Sequence, residues 1–246
     1  MTKEGEIGIR TQIIDYQVPD LRRALQGGDD LLAVAVGGPC DVTEPAVRKL
    51  SGAQVVAAAC AGCGTCAAEC RFDAITMQHF TDDQILAQID AALETNPEEK
   101  IVTFLCNWCS YAAGDLAGVS RMQYPPNNRF IRTMCSGRVD EAFILHAFEK
   151  GAPVVLLSGC HLSDCHYINA NHWTMRRADR LWDRLDKLGI RPERLQLEWI
   201  SAAEGARFAQ IMRDLEELRK KVTPEEVAQT RETLAQQKTA REKKPA

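Results

Sequence analysis

Nine of the chain's ten cysteines fall into two clusters, and the spacing within them restricts what the chain can fold around. The first cluster is a ladder, Cys60-x2-Cys63-x2-Cys66-x3-Cys70. Thiols this close, separated by Ala, Gly and Thr, suit a ferredoxin-like loop. Small residues let the backbone wrap tightly and aim its amides at sulfur. A zinc ribbon would instead use two separated pairs. The spacing therefore predicts a [4Fe-4S] cluster held by Cys60, Cys63, Cys66 and one further thiol. Cys70 is the local choice. Cys40, in Gly37-Gly-Pro-Cys40, is the remaining cysteine upstream, and the spacing leaves it open as the fourth ligand. Arg71 stands where such runs usually carry proline.

The second cluster is dispersed: Cys106-x2-Cys109, then Cys135, then Cys160-x4-Cys165. Its meaning depends on where the strands lie. Ile101-Val-Thr-Phe-Leu105, Arg129-Phe-Ile-Arg-Thr-Met134, Pro153-Val-Val-Leu-Leu157 and Leu195-Gln-Leu-Glu-Trp-Ile200 read as buried strands. Helical segments separate them. One covers Asp140–Lys150 and ends at Gly151; one covers His172–Leu188 and ends at Gly189; one runs from about Ala202 to Lys221. Such alternation predicts an α/β fold, an open parallel sheet of about four strands with right-handed crossovers. Cys106 then follows the first strand, Cys135 the second and Cys160 the third, with Cys109 and Cys165 in the loops behind. In an open parallel sheet the ligand crevice lies outside the carboxyl ends of the strands. All five thiols are thus expected at one edge. Five exceed the four that an iron–sulfur cluster takes, so one is a spare or exchangeable ligand. A tetrahedral zinc site from Cys106, Cys109, Cys160 and Cys165 is the closed-shell alternative.

The upstream part reads as a small segment, residues 1–97, built around the ferredoxin-like loop. It carries a strand at Leu31–Val36, a helix from Thr43 to about Ala59, and a capping box at Thr81-Asp-Asp-Gln84. That box opens a helix with Ile85, Ile89 and Leu93 on one face. Residues 98–221 form the α/β domain. Residues 222–246, rich in Glu, Gln, Lys and Thr, read as a solvated helix or a disordered tail.

A net charge of −4 argues against nucleic acid as the main partner. The N-terminus lacks the pattern of a signal peptide, and no apolar run is long enough for a bilayer. The expectation is a cytoplasmic protein, where disulfides are rare and patterned thiols mean metal or redox chemistry. His161 and His166 each follow a cysteine. They serve either as ligands or as hydrogen-bond donors that tune sulfur. Asp115, Arg121 and Arg138 flank the cysteine loops, to orient them, meet a partner or form surface ion pairs. Arg176, Arg177, Arg180 and Arg184 form a basic stripe, read as a solvated face, with docking to an acidic partner as the alternative. Trp173, Trp182 and Trp199 read as packing.

Phe104-Leu-Cys-Asn-Trp-Cys-Ser-Tyr111, Gly114-Asp-Leu-Ala-Gly-Val-Ser-Arg121, Met122-Gln-Tyr-Pro-Pro-Asn127, Met134-Cys-Ser-Gly-Arg138, Gly159-Cys-His, Asp164-Cys-His-Tyr167 and Glu198-Trp-Ile-Ser-Ala202 resemble the delta subunit of methyl-viologen-reducing hydrogenase. Residues of about 31–95, with Gly37-Gly-Pro, the ferredoxin-like loop and Phe80-Thr-Asp-Asp-Gln-Ile85, resemble the C-terminal end of the A subunit of heterodisulfide reductase. The flavin-binding body of that protein is absent and no G-x-G-x-x-G stretch replaces it, so no flavin is expected in this chain. The resemblance implies a [2Fe-2S] cluster held by four of Cys106, Cys109, Cys135, Cys160 and Cys165. It further implies an electron connector between a partner oxidoreductase and a flavin-containing, heterodisulfide-reductase-A-like protein. Host complexes would be of hydrogenase, formate dehydrogenase or benzoyl-CoA reductase type. No residue group suggests a general base, a nucleophile or a substrate pocket. The alternatives are a redox- or metal-sensing protein with exchangeable thiols and a zinc-bound scaffold.

Overall fold

The computed structural model describes residues 60–72 and 74–242. The expected strand at Leu31–Val36, the helix at 43–59 and Cys40 lie outside the described residues. Helix α1 is a single turn, Thr65–Ala68, inside the cysteine ladder, and α2 covers Asp82–Leu93. The sheet then builds with its crossovers: β1 Ile101–Cys106, α3 Ser110–Val119, β2 Asn128–Thr133, α4 Glu141–Glu149, β3 Val154–Gly159, α5 Ala170–Lys187, β4 Leu195–Trp199, α6 Gly205–Lys220 and α7 Pro224–Glu242.

All four strands are parallel, in the order β2-β1-β3-β4. β1 and β3 are buried along their whole length, as the central strands of a sheet covered on both faces must be. Successive side chains of a strand point to opposite faces, so β1 feeds two cores. Val102 and Phe104 join Val155 and Leu157 under α2, α4 and α5, through Ile85, Ile89, Phe143, Phe148, Leu181 and Leu185. Ile101 and Leu105 join Val154 and Leu156 under α3 and α6, through Ala113, Ala117, Phe208 and Met212. Each fully buried Leu, Ile or Phe here contributes roughly 1.5–3 kcal/mol relative to exposure.

The ends of the helices follow the local rules. Gln84 N–H donates to Thr81 Oγ1 at 3.2 Å and Thr81 N–H to Gln84 Oε1 at 3.1 Å, which closes the predicted capping box. Asp140 caps α4, accepting from Ala142 N–H at 2.7 Å. Gly151 and Gly189 leave α4 and α5 with φ of 104° and 68°, where a side chain would strain the turn. The segment after residue 222 takes the helical one of its two sequence readings, but it is docked rather than solvated all round. One side of it buries Val227, Thr230 and Leu234 against the domain. Arg194, fully buried, donates to Thr230 Oγ1 at 2.6 Å and to the carbonyls of Pro153 and Ala152 at 2.7 and 3.2 Å. Val227 and Leu234, two turns apart, supply the apolar part of this docking, and Arg191–Glu226 at 3.0 Å and Arg231 to Glu149 O at 3.2 Å add polar contacts to a helix whose composition looks solvated. Among the described residues no helix is long and apolar enough to cross a membrane.

Candidate metal centre

The strand register brings the dispersed thiols together. β1 pairs with β2 so that Cys106 lies opposite Thr133, two residues before Cys135. β1 pairs with β3 so that Leu105 lies opposite Ser158, and Cys106 therefore ends level with Gly159, beside Cys160. The chain leaves β1 to one side and enters β3 on the other, so this is the topological switch point of the sheet.

Local structure holds each thiol. Cys106 N–H donates to Ser110 Oγ at 2.9 Å, and Asn107 N–H donates to Thr133 O at 2.8 Å, which turns the chain sharply after β1. Cys109 is then the N-cap residue of α3. Thr133 Oγ1 donates to Cys135 O at 3.0 Å, and Gly137 N–H lies 3.4 Å from Cys135 Sγ. Asn171 Nδ2 donates to the carbonyls of Cys160 and His161 at 3.1 and 2.8 Å. Gly159 fits because a Cβ there would collide with Ser136 at 2.6–2.9 Å.

The sulfurs form one contiguous set. Cys106, Cys109 and Cys160 have thiols within 4.8 Å of one another. Cys106 and Cys160 are 3.9 Å apart at sulfur. Cys109 and Cys160 are joined as a disulfide with Cα atoms 5.3 Å apart, a pairing the sequence reading discounted. Parallel-sheet topology set two thiols from loops 51 residues apart at bonding range. Cys135 bridges to the rest: its thiol hydrogen-bonds both Cys106 and Cys165. That bond, aided by the N–H groups of Trp108, Cys109 and Ser136 and opposed by burial, holds the Cys106 thiol down at about 7. The Cys135 thiol likewise brings Cys165 down to about 6, with help from the N–H groups of Tyr167, Asn171 and Ala170. Cys135, set against both the Cys106 and Cys165 thiols and buried, is pushed far up. Thiols gathered within contact distance, three of them buried, with backbone amides aimed at them, are the donor set of a soft-metal centre. With Cys109 and Cys160 reduced to thiols, the residues present fit an iron–sulfur cluster, and by ligand type alone they also fit zinc.

Of the two histidines, His161 Nε2 pairs with Glu204 at 2.7 Å. His166 stacks on Trp108 with ring centroids 3.9 Å apart. Trp108 Nε1 also donates to Tyr167 Oη at 2.8 Å, so Trp108, His166 and Tyr167 form an aromatic cap beside the thiols. The sequence reading gave Trp108, Tyr167, Ser110 and Asn171 no individual roles. The signal available was position: each lies within a few residues of a cysteine or at the start of the helix behind one.

The ladder Cys60–Cys70 forms a half-buried loop with Gly62 and Gly64 in left-handed conformations, φ 72° and 77°. A Cβ on Gly64 would overlap Met77 and Arg138, so glycine there serves both the turn and the close approach. Cys63 Sγ donates to Thr65 Oγ1 at 3.5 Å, and Ala74 N–H donates to Cys70 Sγ at 3.3 Å. The four loop thiols form no triad as tight as that of the sheet edge among the described residues. The loop sits close to the sheet edge, for Tyr167 feels the charges of Cys63 as well as those of Cys106 and Cys135.

One arginine departs from the sequence reading, and a second is buried rather than at the surface. Arg177, counted in a solvated stripe, is buried and donates to Val139 O at 2.5 Å, Gly137 O at 3.2 Å and Glu69 Oε1 at 2.6 Å. Arg138 is also buried and bonds Phe80 O and Asp82. Periodicity placed Arg177 on a charged face; the loop covering that face was invisible to it. Trp182 donates to Leu195 O at 2.9 Å, consistent with packing.

A family model described as methyl-viologen-reducing hydrogenase, delta subunit, matches residues 101–222. The chain is 55% identical to the iron-sulfur D subunit of the vhc F420-non-reducing hydrogenase of Methanococcus voltae, over 49% of this chain and 83% of that protein. It is 46% identical to the iron-sulfur D subunit of the F420-non-reducing hydrogenase of Archaeoglobus profundus, over 52% of this chain and 93% of that protein. It is also 46% identical to the A subunit of the ferredoxin:CoB-CoM heterodisulfide reductase of Methanosarcina mazei, over 68% of this chain. The chain spans only 25% of that protein's length.

Proposed function

The chain belongs to the methyl-viologen-reducing hydrogenase delta-subunit family, and we propose that it is an iron–sulfur electron-transfer subunit of a redox complex. The observation that carries this reading is the convergence of Cys106, Cys109, Cys135, Cys160 and Cys165 at the switch point of the sheet. In this reading four of them hold a [2Fe-2S] cluster. Cys60, Cys63 and Cys66, with Cys70 or Cys40, hold a [4Fe-4S] cluster in the loop. Bound clusters supply one-electron carriers whose potentials follow from charge, hydrogen bonds to sulfur and solvent exposure.

The chain's own residues do the rest. Backbone amides around Cys106 and Cys165 stabilise thiolate ligands. The cap of Trp108, His166 and Tyr167 limits water at the sheet edge. The loop, lying against that edge, offers a second carrier close by. Electrons would pass between a partner oxidoreductase and a flavin-containing, heterodisulfide-reductase-A-like protein in the cytoplasm. The names of the relatives, a hydrogenase iron-sulfur protein and a heterodisulfide reductase component, support partners of that kind.

The test is electron paramagnetic resonance on anaerobically purified protein, oxidised and dithionite-reduced, with iron and zinc counted on the same sample. Two reduced signals and about six irons per chain are expected from one two-iron and one four-iron cluster. Cys106→Ser should remove the sheet-edge signal and leave the loop signal. Zinc in place of the edge signal would assign the five thiols to a structural site and overturn the relay.

A further inference from the structure

The loop and the sheet edge are joined by two buried guanidinium groups that reach across from the α/β domain. Arg177, on α5, uses one nitrogen to hold the carbonyls of Gly137 and Val139 behind Cys135, at 3.2 and 2.5 Å. Its other terminal nitrogen reaches Glu69, the residue before Cys70, at 2.6 Å. Arg138, three residues after Cys135, donates from Nε and Nη2 to Phe80 O at 3.1 and 2.9 Å and pairs with Asp82. The two guanidinium side chains are 1–2% exposed, while Glu69 is 27% exposed. Between them the loop turn packs tightly: a Cβ on Gly137 would overlap Thr65 Oγ1, and one on Gly64 would overlap Arg138. Since Thr65 meets Gly137, the Cα atoms of Cys66 and Cys135 are at most about 17 Å apart by chain geometry.

We propose that Arg177 and Arg138 are positioning residues that lock the ferredoxin-like loop against the sheet edge. They fix the spacing between the two cysteine sites while ligating neither. This rests on the relay reading of those sites. Arginine suits the task because its planar fork satisfies several acceptors at once and keeps its charge when buried. Interactions between ionised partners at a covered site are also the ones whose loss is felt, since the remaining partner stays desolvated.

The experiment uses the full chain, purified anaerobically, as wild type, Glu69→Ala, Arg177→Lys and the double variant. Glu69→Ala cuts the bond from the loop side and leaves the α/β core intact. Two quantities are read. One is the magnetic interaction between the two reduced centres, seen as broadening beyond the sum of the separate signals. The other is hydrogen exchange of the amides of residues 64–70, which reports loop opening whether or not iron is bound. The proposal expects iron content at the wild-type level and loss of the broadening. It expects loop exchange to speed by about tenfold or more, and the double variant to open the loop by less than the two single effects combined, since the two share one contact. Unchanged loop protection in both single variants overturns the lock, whatever the iron count. Absence of iron from the wild-type loop with normal protection would instead overturn the relay reading and leave the lock as a structural fact.

Discussion

Gly137→Ala tests whether the loop and the sheet edge are packed as tightly as their geometry indicates. Gly137 lies in the turn Ser136–Arg138, two residues after Cys135, and is buried. A methyl group there overlaps Thr65 Oγ1 and comes within 3.3 Å of both Ala170 Cβ and the Ala170 carbonyl. The Ala170 contacts are tight but bearable. The Thr65 contact is not, and Thr65 is β-branched in a short helix, with few rotamers to retreat to. Overpacking of this kind costs about 1–3 kcal/mol. Thr65→Ala removes the hydroxyl and sacrifices only its long contact from Cys63 Sγ at 3.5 Å, about 1 kcal/mol or less. Combined, the two substitutions should be less damaging than their sum, with a coupling of about 0.5–3 kcal/mol. Urea unfolding of the four proteins under one redox condition measures this, the midpoint shifting at unchanged slope. A Gly137→Ala variant as stable as wild type, or a double variant equal to the sum of the singles, would show that loop and edge do not touch here.

Two further outcomes follow from the packing elsewhere. Arg194→Met removes the donor to Pro153, Ala152 and Thr230 and leaves Glu226, 3.6 Å away, without that partner. A stability loss of about 3–5 kcal/mol is expected, with faster proteolysis between α6 and α7; a loss below about 1 kcal/mol would refute the anchoring role. Asp90 accepts from His146 at 2.7 Å and pairs with Lys150 at 3.0 Å. Burial pushes its pKa up, but the bonds from Lys150 and His146 outweigh that and leave it lowered. A lowered carboxylate pKa adds stability above its unfolded value, near 3.9, and that stability disappears as pH falls through the folded value. Asp90→Asn should therefore cost less than about 1 kcal/mol at pH 7, the pair being half-exposed, and nothing near pH 2. A deficit that persists at that acid pH would contradict the ion-pair account.

How much of this was legible in the sequence depends on the range of the interaction. Strands β1 to β4 were legible because central parallel strands are continuous apolar runs, and the capping box at Thr81 because a cap needs only its own next few residues. The observed β1 runs on to include Cys106, β3 runs on to Gly159, and α6 starts at Gly205 rather than Ala202. The gathering of Cys106, Cys135 and Cys160 at one edge followed from topology alone. The burial of Arg177 was not legible, since its exposure is decided by Glu69, 108 residues away. The docking of α7 was missed because a helix can attach through two apolar residues and polar contacts such as those of the buried Arg194. Nor does spacing reveal which sulfurs meet; Cys109 rests on Cys160 while Cys135 joins Cys106 to Cys165.

The five thiols are held in two different ways. Cys106, Cys135 and Cys160 lie at or within two residues of strand ends, so the ladder register of β1 with β2 and β3 fixes their backbones. All three are buried. Cys109 and Cys165 ride on connections, at the first turn of α3 and in the loop before α5, and both are partly exposed. That loop carries Ser163 and Ile168 with φ of 70° and 69°. A β-branched residue is strained in that conformation, and Ile168 is also 85% exposed. Backbone strain of this kind persists only where the surroundings impose it. Here the closure is an antiparallel bridge between Cys165 and Ile168, with Ile168 N–H donating to Cys165 O at 2.8 Å. Three sulfurs are thus set by the sheet and two by the connections between strands and helices. In the proposed reading the three sheet-set sulfurs would define where a cluster stands, and Cys109 and Cys165 would be the two candidates for its fourth ligand.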